Sequence, residues 1–167
     1  LLSGARERLV SVEKVAKEDE TKTRITKALE QIDKIIIGKA ATPLSEHITT
    51  WVNGGALKDE DLKGKVVLLD FWAVWCGPCI ATFPHLNEWN EKYKDKGLVI
   101  VGLTNYYSKY DWDDNASRLK SATALLTPEE ENAMLGKFAE HHSLHHRFAV
   151  QKKESSLAEY YGVRGIP

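Results

Sequence analysis

Cysteine is scarce in this sequence: 167 residues contain only Cys76 and Cys79, separated by two residues. Two cysteines cannot build a framework of structural disulfides within the chain. They could form half of a zinc site, but a closed site needs four ligands and no second cysteine pair exists to complete it. We therefore expect the two cysteines to serve chemistry rather than stability.

An excess of charge and long apolar runs are also lacking. The sequence contains 24 acidic and 23 basic residues, which gives a net charge of -1. Nucleic acid and anionic lipid are therefore disfavoured as partners. The longest apolar stretches, residues 66–75 and 98–103, are far shorter than the roughly 20 residues of a transmembrane helix. The content of 43% hydrophobic and 28% charged residues is typical of a globular protein with a core.

Residues 1–43 are expected to form a helical N-terminal extension. Apolar residues recur there at spacings of three and four, which predicts one helix or two short ones. They are Leu9, Val12, Ala16, Ile25, Leu29, Ile32 and Ile36. No catalytic signal is present in this segment. Pro43 and the loop-forming Asn53, Gly54 and Gly55 follow, so the second domain is predicted to span residues 44–167.

The middle of the chain alternates strand and helix patterns. Residues 66–73 form a continuous apolar run that predicts a central parallel strand covered on both faces. Helical spacing follows from Ile80 to Tyr93, and residues 98–104 predict a second buried strand. Strand, helix and strand in this order predict a parallel crossover and an α/β fold.

The last third of the chain carries helix-start signals. Thr127, Pro128 and Glu130 predict an N-cap, a first-turn proline and a capping-box acid. A weak third strand is predicted at residues 148–151. Ser156 and Glu159 predict a second capping box, with a left-handed Gly162 after a short helix.

The turn between strand and helix predicts redox chemistry at the cysteine pair. Cys76 is expected at the N-terminus of a helix with its sulfur exposed, where the helix dipole and free N–H groups favour the thiolate. Cys76 is therefore the predicted nucleophile. Cys79, one turn further into the helix, is predicted to resolve the mixed disulfide.

The sequence around this pair carries a specific family resemblance. Residues 71–79, Phe-Trp-Ala-Val-Trp-Cys-Gly-Pro-Cys, resemble the active-site strand and turn of the thioredoxin superfamily. The segments Asp-Leu-Lys-Gly-Lys at 61–65 and Ala-Glu-Tyr-Tyr-Gly-Val-Arg-Gly-Ile-Pro at 158–167 resemble the TlpA/ResA-like thiol-disulfide oxidoreductases. The resemblance covers residues 44–167. It implies a thioredoxin-like fold, with a central sheet flanked by helices and an insertion between the second core strand and the following helix.

The resemblance also implies roles for residues near the cysteines. Asp70 matches a buried acid that relays a proton to or from the resolving cysteine, and a buried carboxyl suits that task because its pKa rises. Trp75 matches an aromatic of the docking surface, and Gly77 and Pro78 complete the active-site turn. Pro167 matches a cis-proline that faces the cysteines and offers backbone to an extended substrate peptide.

The sequence also departs from the family pattern. Ile80 and Thr82 stand where such proteins often carry a basic residue and an acid, so neither contributes charge. Residues 105–126 form a longer insertion than the family leads one to expect, and it is rich in aromatic residues. The fold implies a further antiparallel hairpin and closing helix after the cis-proline, which we expect to be missing from this chain.

The predicted function is reduction of protein disulfides by dithiol-disulfide exchange, without a cofactor or metal. Its partners are expected to be protein disulfide or dithiol clients and an upstream thiol electron donor. By resemblance, the location is extracytoplasmic in a bacterium, either periplasmic or membrane-anchored, with a cytoplasmic location left open. Two alternatives are a peroxiredoxin-like thiol peroxidase and a non-enzymatic module that binds metal or a partner. The second would use His141, His142, His145 and His146.

Overall fold

The computed structural model describes residues 22–24, 26, 27, 38 and 40–166. The chain divides into two compact units, Leu1–Thr42 with Ser156–Arg164 and Pro43–Ser155 with Gly165–Pro167. Residues 22–24, 26 and 27 are helical. The rest of the predicted N-terminal helices lies outside the described residues, and the predicted boundary at residue 44 stays a prediction.

The unit Pro43–Ser155 is built on a mixed four-stranded sheet in the order β1-β6-β3-β2. Strands β2 and β3 are parallel, as are β3 and β6, whereas β1 is antiparallel to β6. A separate antiparallel hairpin joins β4 to β5. The strands are β1 (Ile48–Asn53), β2 (Val66–Phe71), β3 (Leu98–Thr104), β4 (Tyr110–Asp113), β5 (Arg118–Ser121) and β6 (Arg147–Gln151).

The parallel crossover from β2 to β3 and the third strand are confirmed, but the predicted central position of β2 is wrong. Among the described strands β2 lies at the edge of the sheet, and β3 lies inside it. An apolar run reports coverage of the two faces of a strand, not pairing on both of its edges. Strand β1, whose last residue Asn53 was assigned to a loop, was missed.

Two helices cover one face of this sheet, α1 (Gly77–Tyr93) and α2 (Pro128–His141). The predicted capping box of α2 is confirmed: the Glu130 N–H donates to Thr127 Oγ1 at 3.3 Å, and the Thr127 N–H donates to Glu130 Oε2 at 2.8 Å. Short 3-10 turns occupy Ser45–His47, Asp59–Leu62 and Lys94–Lys96.

The short helix α3 (Leu157–Tyr160) belongs to the other unit. Its predicted capping box is wrong, because Ser156 makes no side-chain cap hydrogen bond. Gly162 has φ +69°, as expected for a left-handed residue after a helix.

Aromatic rings fill the space between the sheet and the two helices. The Trp72 ring lies 5.4 Å from Phe83 of α1, 5.5 Å from Phe138 of α2 and 5.3 Å from Phe148 of β6. Gly102 of β3 lets these rings approach, since a Cβ there would lie 2.8 Å from Trp72 Nε1. This packing fixes Trp72, and with it the chain that leads to the cysteines.

Candidate active site

The cysteine pair lies where the chain leaves β2 and enters α1. The Trp72 N–H donates to Leu103 O, and the Cys76 N–H donates to Ala73 O, both at 3.0 Å, so a tight turn carries the chain out of the sheet. Cys76 is the N-cap residue of α1, and the next two residues, Gly77 and Pro78, open the helix. Proline is well suited to this first turn because its missing N–H would have had no helical partner.

Cys76 and Cys79 form a disulfide, and their Cα atoms lie 5.3 Å apart. The Cys79 N–H also donates to Cys76 Sγ at 3.2 Å. After reduction, the same N–H and the positive end of the α1 dipole are placed to stabilise a Cys76 thiolate. The structure thus brings together the two residues predicted to exchange electrons, in their oxidised form.

The prediction that the Cys76 sulfur is exposed is wrong for this form. Cys76 is only 2% exposed and Cys79 only 3%, and both belong to the hydrophobic core cluster. The reason is geometric, because an N-cap side chain turns back over the first helical turn, and the disulfide pulls it further toward Cys79. Gly77 and Pro78 are exposed instead, so an attacking thiolate needs a local rearrangement to reach Cys76.

Asp70 lies on β2 with its side chain on the face that carries the helices. Leu68, two residues earlier on the same face, packs against the cluster that contains Cys79. The Oδ2 atom of Asp70 is buried and has no hydrogen-bond partner among the described residues. Burial raises the pKa of this carboxyl group above its ordinary value.

Trp75 remains accessible beside the buried cysteines. Its side chain is 46% exposed, and its ring centroid lies 5.7 Å from that of Tyr107 in an edge-to-face arrangement. Tyr107 belongs to the aromatic-rich insertion at residues 105–126. The exposed surface next to Cys76 is therefore made partly by the insertion.

Sequence reasoning missed Glu131, which holds that part of the insertion. Glu131 is 1% exposed, and its two carboxylate oxygens accept the N–H groups of Tyr107 at 2.6 Å and Ser108 at 2.9 Å. An acid in the first turn of a helix is expected simply as a partner of the helix dipole. Its burial depends on tertiary packing, and no local signal in the sequence reveals it.

The two residues at the start of α1 that depart from the family pattern, Ile80 and Thr82, have structural roles. Thr82 Oγ1 donates to Cys79 O at 2.7 Å, and Ile80 packs against the core cluster. Pro84 lies inside α1. Pro167, the predicted cis-proline, lies outside the described residues, so its role stays a prediction.

The histidine cluster is divided between core and surface. His146 is 2% exposed, whereas His141 and His145 are exposed. Burial lowers the pKa of His146 to about 4, and it also lowers the pKa of His142. Within the described part of the chain, no group of three or more His, Cys, Asp or Glu residues could hold a metal ion. The metal-binding alternative is therefore not supported.

The helices of the described residues are too short or too polar to cross a membrane. None of those in residues 40–166 or in the short described segments before them combines the length and apolar character needed to span a bilayer.

The sheet, the helix that begins at a cysteine pair and the partly buried Asp70 on the preceding strand define a thioredoxin-like domain. The sequence matches the Redoxin family over residues 38–165, and the chain belongs to that family. A thiol-disulfide oxidoreductase ResA of Bacillus cereus is 38% identical over 88 residues, which are 47% of this chain and 49% of the relative. The chain therefore spans about half the length of the curated ResA relatives that it matches.

Solved structures agree on the fold. A DsbE-type thiol:disulfide interchange protein candidate from Chlorobium tepidum superimposes with a TM-score of 0.52 at 28% identity, covering 79% of this chain and 74% of that one. The thioredoxin domain of thiol-disulfide oxidoreductase BVU-2223 from Bacteroides vulgatus gives a TM-score of 0.55 at 23% identity, covering 80% and 78%. The predicted thioredoxin-like fold and TlpA/ResA-like resemblance are confirmed, and an oxidoreductase is supported.

Proposed function

We propose that this protein is a thiol-disulfide oxidoreductase that reduces disulfides of protein clients. The observation that carries the proposal is the Cys76–Cys79 disulfide at the N-terminus of α1. This is the oxidised product that a dithiol reductase leaves behind, formed where the helix dipole favours a thiolate. No observation favours the peroxidase alternative.

The reaction transfers two electrons in two exchange steps. The Cys76 thiolate attacks one sulfur of the client disulfide, which forms a mixed disulfide and releases the other client sulfur as a thiolate. Cys79, once deprotonated, attacks Cys76 Sγ. The mixed disulfide breaks, the client leaves as a dithiol, and Cys76–Cys79 is oxidised. An upstream thiol donor must then return two electrons to the pair.

Asp70 is proposed to handle the proton of Cys79. Its carboxyl group lies on the sheet face that packs against the cysteine cluster, and burial raises its pKa toward the range where acid-base work is efficient. Asp70 accepts the Cys79 proton when the mixed disulfide is resolved and returns it when the pair is reduced again.

Clients and location are part of the same proposal. The printed names of the relatives, thiol-disulfide oxidoreductase and thiol:disulfide interchange protein, support protein thiols as substrates. The bacterial origin of these relatives supports a bacterial host, and we propose an extracytoplasmic location there. The cis-proline role of Pro167 and the docking role of Trp75 belong to this proposal as well.

The test uses two matched serine variants of the full chain. Reduced Cys79→Ser is expected to accumulate mixed disulfides with a disulfide-containing client protein, because attack proceeds and resolution cannot. Cys76→Ser is expected to lose turnover of that client and to trap nothing. The readout is client reduction with a thiol donor, together with non-reducing gel electrophoresis. Normal turnover by Cys76→Ser, or trapping by both variants alike, would contradict the proposed roles.

A further inference from the structure

Tyr107 of the insertion contacts Trp75, the residue that precedes the reacting cysteine. The Tyr107 ring lies edge-on to the ring of Trp75, with centroids 5.7 Å apart and planes at 78°. Trp75 is 46% exposed and directly precedes Cys76. Because disulfide exchange brings a client within bonding distance of Cys76, the client lies close to Trp75 in the mixed disulfide.

The loop that presents Tyr107 is held by a buried charge. Glu131 of α2 accepts hydrogen bonds from two consecutive backbone N–H groups, those of Tyr107 and Ser108. A buried carboxylate is costly unless such charge-assisted bonds satisfy it. Ser108 has φ +58°, a left-handed conformation that a residue other than glycine seldom adopts. Glu131 therefore fixes a backbone conformation that the loop would not favour by itself.

A second hydrogen bond joins the sequence neighbours of Tyr107 and Glu131. Tyr106 Oη donates to Asn132 Oδ1 at 2.8 Å. Three successive loop residues, 106–108, are thus hydrogen-bonded to two successive residues of α2, whose first turn is closed by its capping box. Cap, helix, carboxylate and loop form a continuous chain of contacts that ends at the Tyr107 ring.

The chain segment that carries Trp75 is uncharged, and exposed apolar residues lie near the aromatic pair. Residues 71–79 contain no charged side chain, and Gly77 and Pro78 are exposed. The Leu126 N–H donates to Ser108 O at 2.9 Å, which places its neighbour Leu125, 73% exposed, beside the loop. Such an exposed apolar surface matches an apolar side chain of a client.

We propose that Trp75 and Tyr107 form the client-docking surface and that Glu131 is a positioning residue that fixes it. The occupant is a polypeptide segment that carries an apolar residue next to its reacting cysteine. This inference rests on the proposed function and adds a substrate preference to it. Tyr107 and Glu131 touch neither sulfur in this mechanism, so they act on docking and not on exchange itself.

The test measures single-turnover rate constants of the reduced full chain with three disulfides. Two are disulfide-linked peptides that differ only in a Leu or an Asp next to the cysteine, and the third is dithiodipyridine, which is too small to need the surface. Wild type is expected to prefer the Leu peptide. Tyr107→Ala should lower the Leu-peptide rate by about two- to tenfold, the range of an aromatic contact. Its rate with dithiodipyridine should not change.

Matched variants separate positioning from general damage. Tyr107→Phe keeps the ring and should keep the preference, whereas Glu131→Gln, which places an amide against a backbone N–H, should lose it as Tyr107→Ala does. Glu129→Gln on the same helical turn and Tyr93→Ala at the far end of α1 alter exposed residues and should behave as wild type. If Glu131→Gln fails to fold, Tyr107→Ala still tests whether the ring belongs to the docking surface.

The outcomes distinguish this inference from the proposed function. An unchanged ratio of Leu-peptide to Asp-peptide rates in Tyr107→Ala overturns the docking surface. An equal loss with dithiodipyridine also overturns it, because the residue would then act on the cysteines. Wild-type protein that reacts with dithiodipyridine but with neither peptide refutes the proposed function itself, and the docking surface falls with it.

Discussion

Asp70 places one of its two carboxyl oxygens where no water or described side chain can compensate its charge. Its Oδ2 atom is buried and lacks a partner among the described residues, and burial raises its pKa. In the unfolded chain the same group titrates near its ordinary value of 3.8. As pH rises from there to the folded pKa, the unfolded state loses its proton first, so stability falls over that window.

Replacing Asp70 by Asn is therefore expected to stabilise the protein and to impair its turnover. The gain in the free energy of unfolding should be absent below about pH 3.8, where Asp70 is neutral in both states, and present at pH 7. Turnover of a client disulfide at pH 7 should fall by up to about a hundredfold if Asp70 handles the Cys79 proton. Urea unfolding of the oxidised protein and client-reduction rates measure the two effects.

The exposed Asp95→Asn is the matched control, since it removes the same charge from a solvated position. Asp70→Asn that unfolds at the same urea concentration as wild type at pH 7 would show that burial of this carboxylate costs nothing. If Asp70→Asn is stabilised but its turnover is unchanged, the cost of burying the carboxylate is confirmed and the proposed role of Asp70 in proton transfer is refuted.

At the scale of elements, the helices were more predictable from the sequence than the strands. The starts of α1 and α2 follow from local chemistry, namely a first-turn proline in each and the capping box of Thr127 and Glu130 in α2. The cysteine pair lies in the same short segment at the start of α1, so it too could be recognised from local sequence. Trp75, Gly77 and Pro78 were named by the same segment because they adjoin the cysteines in sequence, and their roles in the site stay predictions.

The strands were less predictable because their pairing is set by distant residues. Strand β1 pairs with β6, about a hundred residues away, and its register is interrupted by irregularities. Strand β5 is four residues long and contains Arg118 and Lys120, so it shows no apolar run. The hydrogen bonds that Glu131 accepts were missed for the same reason, because the residues that donate them, Tyr107 and Ser108, are remote in sequence. Local patterns cannot report such contacts.

The cap of α2 supplies an element-scale prediction. Thr127→Ala removes the hydroxyl that accepts the Glu130 N–H, so it should lower the free energy of unfolding by about 1 kcal/mol. For a protein of this size the melting temperature should fall by about 2–4 °C. Thr127→Ser retains the hydroxyl and serves as control. Equal melting temperatures for Thr127→Ala and wild type would show that solvent replaces the cap without loss.

At the scale of the whole molecule, two buried titratable groups give the stability opposite pH dependences. Asp70 and His146 both lie on the helix-covered side of the sheet, since the His146 ring lies 6.3 Å from that of Phe83. Acidification neutralises the Asp70 carboxylate and so removes the free-energy cost of burying its charge. Acidification also favours a charged His146, which the core cannot accommodate. These two groups therefore make opposing contributions to the acid stability of the protein.

The His146 contribution can be isolated between pH 6.5 and about pH 4. Burial lowers the folded pKa of His146 to about 4, against 6.5 for an unperturbed histidine. The unfolded state therefore binds the proton first as pH falls, and stability is lost across that window. The expected loss is about 3 kcal/mol, because each pH unit of the window corresponds to about 1.4 kcal/mol. Below about pH 4 the loss levels off as the folded protein also binds the proton.

His146→Leu removes this titration and should flatten the fall in unfolding free energy between pH 6.5 and 4. The exposed His85→Leu is the matched control and should follow the wild-type profile. Urea unfolding at several pH values measures all three proteins, and comparing slopes cancels any constant packing change at residue 146. If His146→Leu loses stability as steeply as wild type, a neutral buried imidazole does not govern the acid response. Combining His146→Leu with Asp70→Asn should remove both contributions and leave those of the other titratable groups, among them His142, whose pKa burial also lowers.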